Sequence, residues 1–105
     1  MNEYLLEKDL KAKLILTGQW LYDNILPKQV RIYELNFDFY FELEEGYHEE
    51  GEKPKLNEEG LQYVITWNEI DEFSFHSDPS EGGLTIKEAI ENAERITQQQ
   101  IKWNL

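Results

Sequence analysis

The chain has 105 residues, 40% of them hydrophobic, with fourteen aromatic side chains (five Phe, six Tyr, three Trp), no cysteine and a net charge of −12. That length is one domain's worth with enough aromatic mass for a core, and the lack of cysteine excludes disulfides, thiolate metal sites and thiol nucleophiles and fits a reducing compartment. The acid excess repels a phosphate backbone, so direct nucleic-acid binding is not expected.

The first element is a strand. From Leu10 to Leu16 the even positions are apolar (Leu10, Ala12, Leu14, Leu16) while Lys11, Lys13 and Ile15 alternate with them. Tyr4 and Leu6 share that parity, which lets the strand begin earlier; a helix over residues 2–10 is the competing reading. Glu3, Glu7, Asp9 and the interrupting lysines are unlike a secretory signal, and no apolar run approaches the roughly 18–20 residues of a membrane span. Gly18 marks a bulge or bend, and Asp23, Asn24 and Pro27 form a connection.

From Arg31 to Leu43 the odd positions read Arg31, Tyr33, Leu35, Phe37, Phe39, Phe41, Leu43, and the even positions Ile32, Glu34, Asn36, Asp38, Tyr40, Glu42. This predicts one long strand with its aromatic row buried and its acidic row wet. Residues 46–60 have no period, and Pro54 and three glycines predict a long loop. A second strand carries Leu61, Tyr63, Ile65 and Trp67 on one side. A third, with Phe73 and Phe75, is expected to pair with it so that Ile65 faces Phe73 and Tyr63 faces Phe75. After the turn formers Asp78, Pro79, Ser80, Gly82 and Gly83, a helix is expected. Thr85 is its N-cap, Glu88 completes a capping box, and Ile86, Ala89, Ile90, Ala93 and Ile96 form its apolar stripe. Ile101–Trp103 fits a short final strand. The fold expected is α+β: an antiparallel sheet of about four to five strands with one C-terminal amphipathic helix on one face. A single domain over residues 1–105 is expected, with a flexible acidic loop at about 45–60.

Chemistry is sparse. His48 and His76, about 28 positions apart, match no metal-ligand spacing, and adjacent His76, Ser77 and Asp78 cannot orient one another as base, nucleophile and orienter. The loop's glutamates lack the alternation of a calcium loop, and no P-loop lysine follows Gly82–Gly83. Trp20, Trp67 and Trp103 read as packing residues. No enzyme activity, metal or cofactor is expected.

The charge is uneven. Residues 1–33 hold five basic and four acidic side chains (+1), residues 34–81 two and fifteen (−13), and residues 82–105 three of each. The candidate site is therefore a partner-binding surface formed by Asp38, Tyr40, Glu42, Glu44, Glu45, Glu49, Glu50, Glu52, Glu58 and Glu59, with Tyr40 as an exposed aromatic anchor in an acidic field. The expected function is that of a small acidic cytoplasmic binding module, of inhibitor or immunity type, that engages a basic protein electrostatically, with no membrane partner. The alternative is a structural module that forms a homodimer through its sheet.

Overall fold

The computed structural model describes residues 3–44 and 50–104. Its frame is one mixed-length antiparallel sheet. Strands β1 (Glu3–Glu7), β2 (Leu10–Tyr22), β3 (Leu26–Leu35), β4 (Gln62–Thr66) and β5 (Ser80–Gly83) lie in sequence order, and β6 (Lys102–Asn104) pairs with β2. Among the described residues two helices complete it, α1 (Phe39–Leu43) and α2 (Ile86–Thr97). The α+β class and the C-terminal helix packed on the sheet agree with the sequence reading. The described sheet has six strands, and α1 is an additional helix that the alternation had disguised.

The N-terminal segment is a strand, which removes the competing helix over residues 2–10. β1 turns back on β2 through Lys8, whose φ is +48°, and pairs Tyr4 with Ala12. One edge of β2 is shared: β1 takes Leu10–Lys13, and β6 takes Thr17–Gln19. The other edge runs along β3 from Ala12↔Leu35 to Tyr22↔Leu26, and the register slips between Leu14 and Leu16. This bulge lies at Ile15. Gly18 instead sits in regular pairing, where its missing side chain makes room. A Cβ there would lie 2.7 Å from Ile101 Cγ2 and 2.8 Å from the Trp103 ring.

The bulge redistributes the core. Before it, Ala12 and Leu14 sit opposite Leu35 and Tyr33; after it, Leu16 sits opposite Ile32. Since the extra residue breaks alternation on one strand only, the even row of β2 serves both faces of the sheet. On the helix side Leu16, Val30, Ile32, Tyr63, Ile65, Ala89, Ala93 and Ile101 form one buried cluster, edged by Trp20, Trp67 and Trp103. On the far side Ala12, Tyr33, Leu35, Phe37, Phe39, Val64 and Phe73 form a second. β3 and β4 are thus covered on both faces, which is why Ile32 is buried although it belonged to the row expected to be wet, and why β4 is buried throughout.

The long strand expected from Arg31 to Leu43 ends at Leu35. Phe37 and Phe39 still point inward, but Asp38 caps a one-turn helix with its carboxylate accepting from Phe41 N–H at 3.4 Å. Phe41 is half-buried and Leu43 is exposed, so the inward row stops at Phe39. The strand expected at Phe73–Phe75 is absent as well. β4 pairs with β5, placing Ile65 opposite Ser80 and Val64 opposite Glu81. Ile65 and Tyr63 face α2, whereas Phe73 packs 4.8 Å from the Tyr33 ring on the far side. Residues 68–79 form an irregular strap, turned by Ser74–Ser77 and by Asp78 at φ +47°.

α2 follows its sequence closely. Thr85 Oγ1 accepts from Glu88 N–H at 3.0 Å, and Glu88 Oε1 accepts in return from Leu84 N–H at 2.9 Å, one residue before the N-cap. Gln98 ends the helix in the left-handed region, φ +56°. Ala89 and Ala93 are buried against the sheet and Ile90 is half-buried, while Ile86 and Ile96 at the stripe's ends are exposed. β6 confirms the short final strand.

Candidate interaction surface

Asp38, Tyr40 and Glu42 do not share one strand face, because the stretch of strand that was to carry them becomes α1 and its cap. The described residues of the expected surface fall in four places. Asp38, Tyr40, Glu44 and Glu52 surround an open cleft of about 220 Å³, floored by Gln62 and Val64 and joined on its rim by Lys53, Lys55 and Glu81. Glu42 turns the other way, into a second cleft with Glu7, Leu10, Leu43 and Phe75. Glu58 and Glu59 are exposed on a tight turn built by Asn57, whose Oδ1 accepts from Glu59 N–H at 2.8 Å and Leu61 N–H at 3.0 Å. Glu50 is exposed at a turn. Glu45 and Glu49, with His48 and part of the loop expected at 45–60, lie outside the described residues.

The cleft is held by its own hydrogen bonds. Asp38 Oδ2 accepts from Lys55 N–H at 2.8 Å, so this carboxylate fastens the incoming chain as well as capping α1. Gln62, buried in β4, accepts from Phe39 N–H at 3.0 Å and donates to Lys55 O at 3.1 Å. These bonds fix α1 and the segment leading into Asn57 as the two walls. Tyr40 is 38% exposed, but its ring rests edge-on against Phe39 at 5.0 Å and its hydroxyl donates to Pro79 O at 2.6 Å. Partial burial, then the Asp78 charge, raises the pKa of its hydroxyl. Tyr40 is therefore a fixed wall with one open face rather than a free anchor. Glu81 was missed because it sits among the turn formers before α2; β5 brings it opposite Val64.

Sequence reasoning also missed the polar knot under the strap. Tyr33 OH donates to Asp71 Oδ1 and Tyr4 OH to Asp71 O, both at 2.6 Å. The Arg31 guanidinium, 8% exposed, donates to Asn68 O at 2.8 Å and Glu69 O at 3.5 Å. Two tyrosines and an arginine, from β1 and β3, thus hold residues 68–71 across the far core. Burial, then the hydrogen bond to Asp71, pushes the Tyr33 hydroxyl far above its ordinary value. Burial, then the bond to Glu34 Oε2 at 3.0 Å, pushes Tyr63 up to about 12.

These shifts have a definite sign. A tyrosine whose folded pKa is raised holds its proton more tightly when folded. Its contribution is complete below the unfolded value near 10 and is lost as pH climbs through the folded value. Urea midpoints should therefore fall from about pH 10 upward, and the fall should be shallower in Tyr33→Phe and Tyr63→Phe. A midpoint that stays flat between about pH 10 and 12 would contradict the buried hydroxyls.

Among the described residues no group of three or more His, Cys, Asp or Glu side chains is placed to hold a metal ion, and no helix is long and apolar enough to cross a membrane. His76 is exposed in the strap, where its N–H donates to Ser74 Oγ, and Ser77 Oγ accepts from Ser74 N–H at 2.9 Å. Comparison of the chain with protein-family models, curated proteins and solved structures gives no match.

Proposed function

We propose that the protein is a non-catalytic cytoplasmic binding module, of inhibitor or immunity type, that captures a basic protein at its acidic cleft. The observation that carries this reading is the convergence of Glu44, Glu52 and Glu81 with Tyr40 around one open concavity, in a stretch of chain with a charge of −13. Such a surface steers a cationic partner toward it and raises the association rate more than the final affinity. Lys53 and Lys55 on the same rim divide the negative field, which favours a partner whose basic groups are spaced rather than clustered.

Association of the retained partner should slow roughly ten-fold or more between low and high salt. The Glu44→Gln/Glu52→Gln/Glu81→Gln variant should lose most of that salt dependence. The three residues are exposed, and the variant's melting temperature, measured beside the parent's, separates loss of capture from loss of fold. A partner whose capture is unchanged by the triple substitution would remove this site from consideration.

A further inference from the structure

We propose that the start of the strap encloses a binding site for one water molecule, held by Arg31, Thr66 and Asp71 and joining the strap to the sheet. This site is separate from the acidic cleft and independent of its reading. Three side-chain atoms carry the proposal: Arg31 Nε, Thr66 Oγ1 and Asp71 Oδ2 are sealed from solvent and have no hydrogen-bond partner among the described residues.

The sheet brings these atoms to one place. Arg31 lies directly opposite Thr66 in an unbroken ladder between β3 and β4. The two share parity with Tyr33 and Val64 of the far cluster, so both point to the far face. Side chains of such a pair start about 4.5–5.5 Å apart. The chain leaves β4 at Thr66 and is drawn back over the pair at once, because the Arg31 guanidinium donates to Asn68 O at 2.8 Å and Glu69 O at 3.5 Å. Asp71 then turns its carboxylate inward to the next residue of the same β3 row, and its Oδ1 accepts from Tyr33 OH at 2.6 Å. Burial, and then this bond, raise the pKa of the Tyr33 hydroxyl, while the Arg31 charge draws it back. The guanidinium is therefore within electrostatic reach of the hydroxyl that Asp71 holds.

Carboxylate and guanidinium still stay apart. Among the described residues the ion pair is Lys28–Glu69, and Arg31 and Asp71 form none. Each keeps one buried atom unanswered, with the Thr66 hydroxyl across the ladder in the same condition. Buried polar atoms of this kind are costly to leave unpaired and are ordinarily satisfied by protein or by ordered water.

The three atoms also select the ligand. Arg31 Nε–H only donates, Asp71 Oδ2 only accepts, and the Thr66 hydroxyl does either. The ligand must accept one hydrogen bond and donate another. An anion would be opposed by Asp71 and a cation by Arg31. Arg31 is 8% and Thr66 1% exposed, which shuts out anything large. Water meets every requirement, with the roughly three hydrogen bonds that internal waters make. It accepts from Arg31, donates to Asp71 and makes its third bond to Thr66. It can leave only when the strap lifts, so its lifetime records the opening of residues 68–71.

Water relaxation dispersion and water–protein NOE spectra, read beside melting temperature, test this. The parent should hold a water that outlives molecular tumbling and gives cross-peaks to the Arg31 Nε–H and the Thr66 methyl group. Thr66→Ser, which keeps the hydroxyl, should retain the long-lived water. Thr66→Val, of nearly the same shape, should lose it. A crystal structure of the parent should show its density between the three side chains. Absence of a long-lived water in the parent, an undiminished one in Thr66→Val, or a direct bond from Arg31 Nε to Asp71 Oδ2 in the crystal would each overturn the proposal.

Discussion

Phe39→Ala should lower unfolding free energy by about 3–5 kcal/mol, a large part of the roughly 5–15 kcal/mol that holds a domain together. Phe39 has no solvent exposure and touches the rings of Phe37, Tyr40, Phe73 and Phe75 at centroid separations of 5.0–6.5 Å. It joins two irregular segments, α1 and the strap, to the far face of the sheet. Removing its ring opens a cavity bounded by pieces that have no strand ladder to keep them in place. Urea unfolding should show the loss, and the Tyr40 wall of the cleft should loosen with it. A cost below about 1 kcal/mol would mean that α1 does not hold the strap.

Gly82→Val should be of similar severity, about 3 kcal/mol or more. A Cβ at Gly82 would lie 2.5 Å from Tyr63 O, 2.9 Å from Tyr63 C and 3.1 Å from Ala89 Cβ. Two of these atoms are backbone, so no rotamer change relieves the contact. β5 would have to lift from β4 or α2 from both, and the Asn92 side chain that donates to Gly82 O at 2.7 Å would lose its partner. Thermal unfolding would register the cost. Hydrogen exchange should rise first in β5 and the first turn of α2. Substitution at Gly60, where an added Cβ would meet no described atom within 4 Å, is a control that carries only the strain of its φ of +79°.

Which parts of this architecture were legible depends on how locally each was encoded. α2 was legible to its cap because Thr85, Glu88 and the spacing of Ala89, Ile90 and Ala93 lie within three turns of chain. β2 and β4 were legible as strands because alternation is a local signal. The bulge at Ile15 was not, since a β-branched residue in an alternating run gives no sign that its partner strand is one residue short. The change from strand to helix after Leu35 was hidden by a coincidence: Phe37 and Phe39 are buried as a strand would bury them, while Asp38, which caps the helix, read as one more member of a wet row. The pairing of Phe73 with Ile65 failed because parity says which residues share a face of one strand but not which face of the sheet a later segment will cover. For the site, composition located the acid, but the sorting of Glu42, Glu44 and Glu59 into separate places depended on α1 and on the Asn57 turn. The knot of Tyr4, Tyr33, Arg31 and Asp71 joins positions up to 67 residues apart and left no trace in any window of the sequence.

The sharing of one β2 edge by β1 and β6 sets an order of events. Thr17 waits for Asn104, eighty-seven positions later, whereas its ladder partner in β3, Arg31, follows fourteen positions on. During synthesis the hairpin can close almost as soon as it emerges, but Gly18 stays uncovered until Ile101 and Trp103 leave the ribosome. The helix-side core is thus completed by a segment made long after its first strands, and a nascent chain stalled before that segment would present Leu16, Val30 and Ile32 with their lid missing.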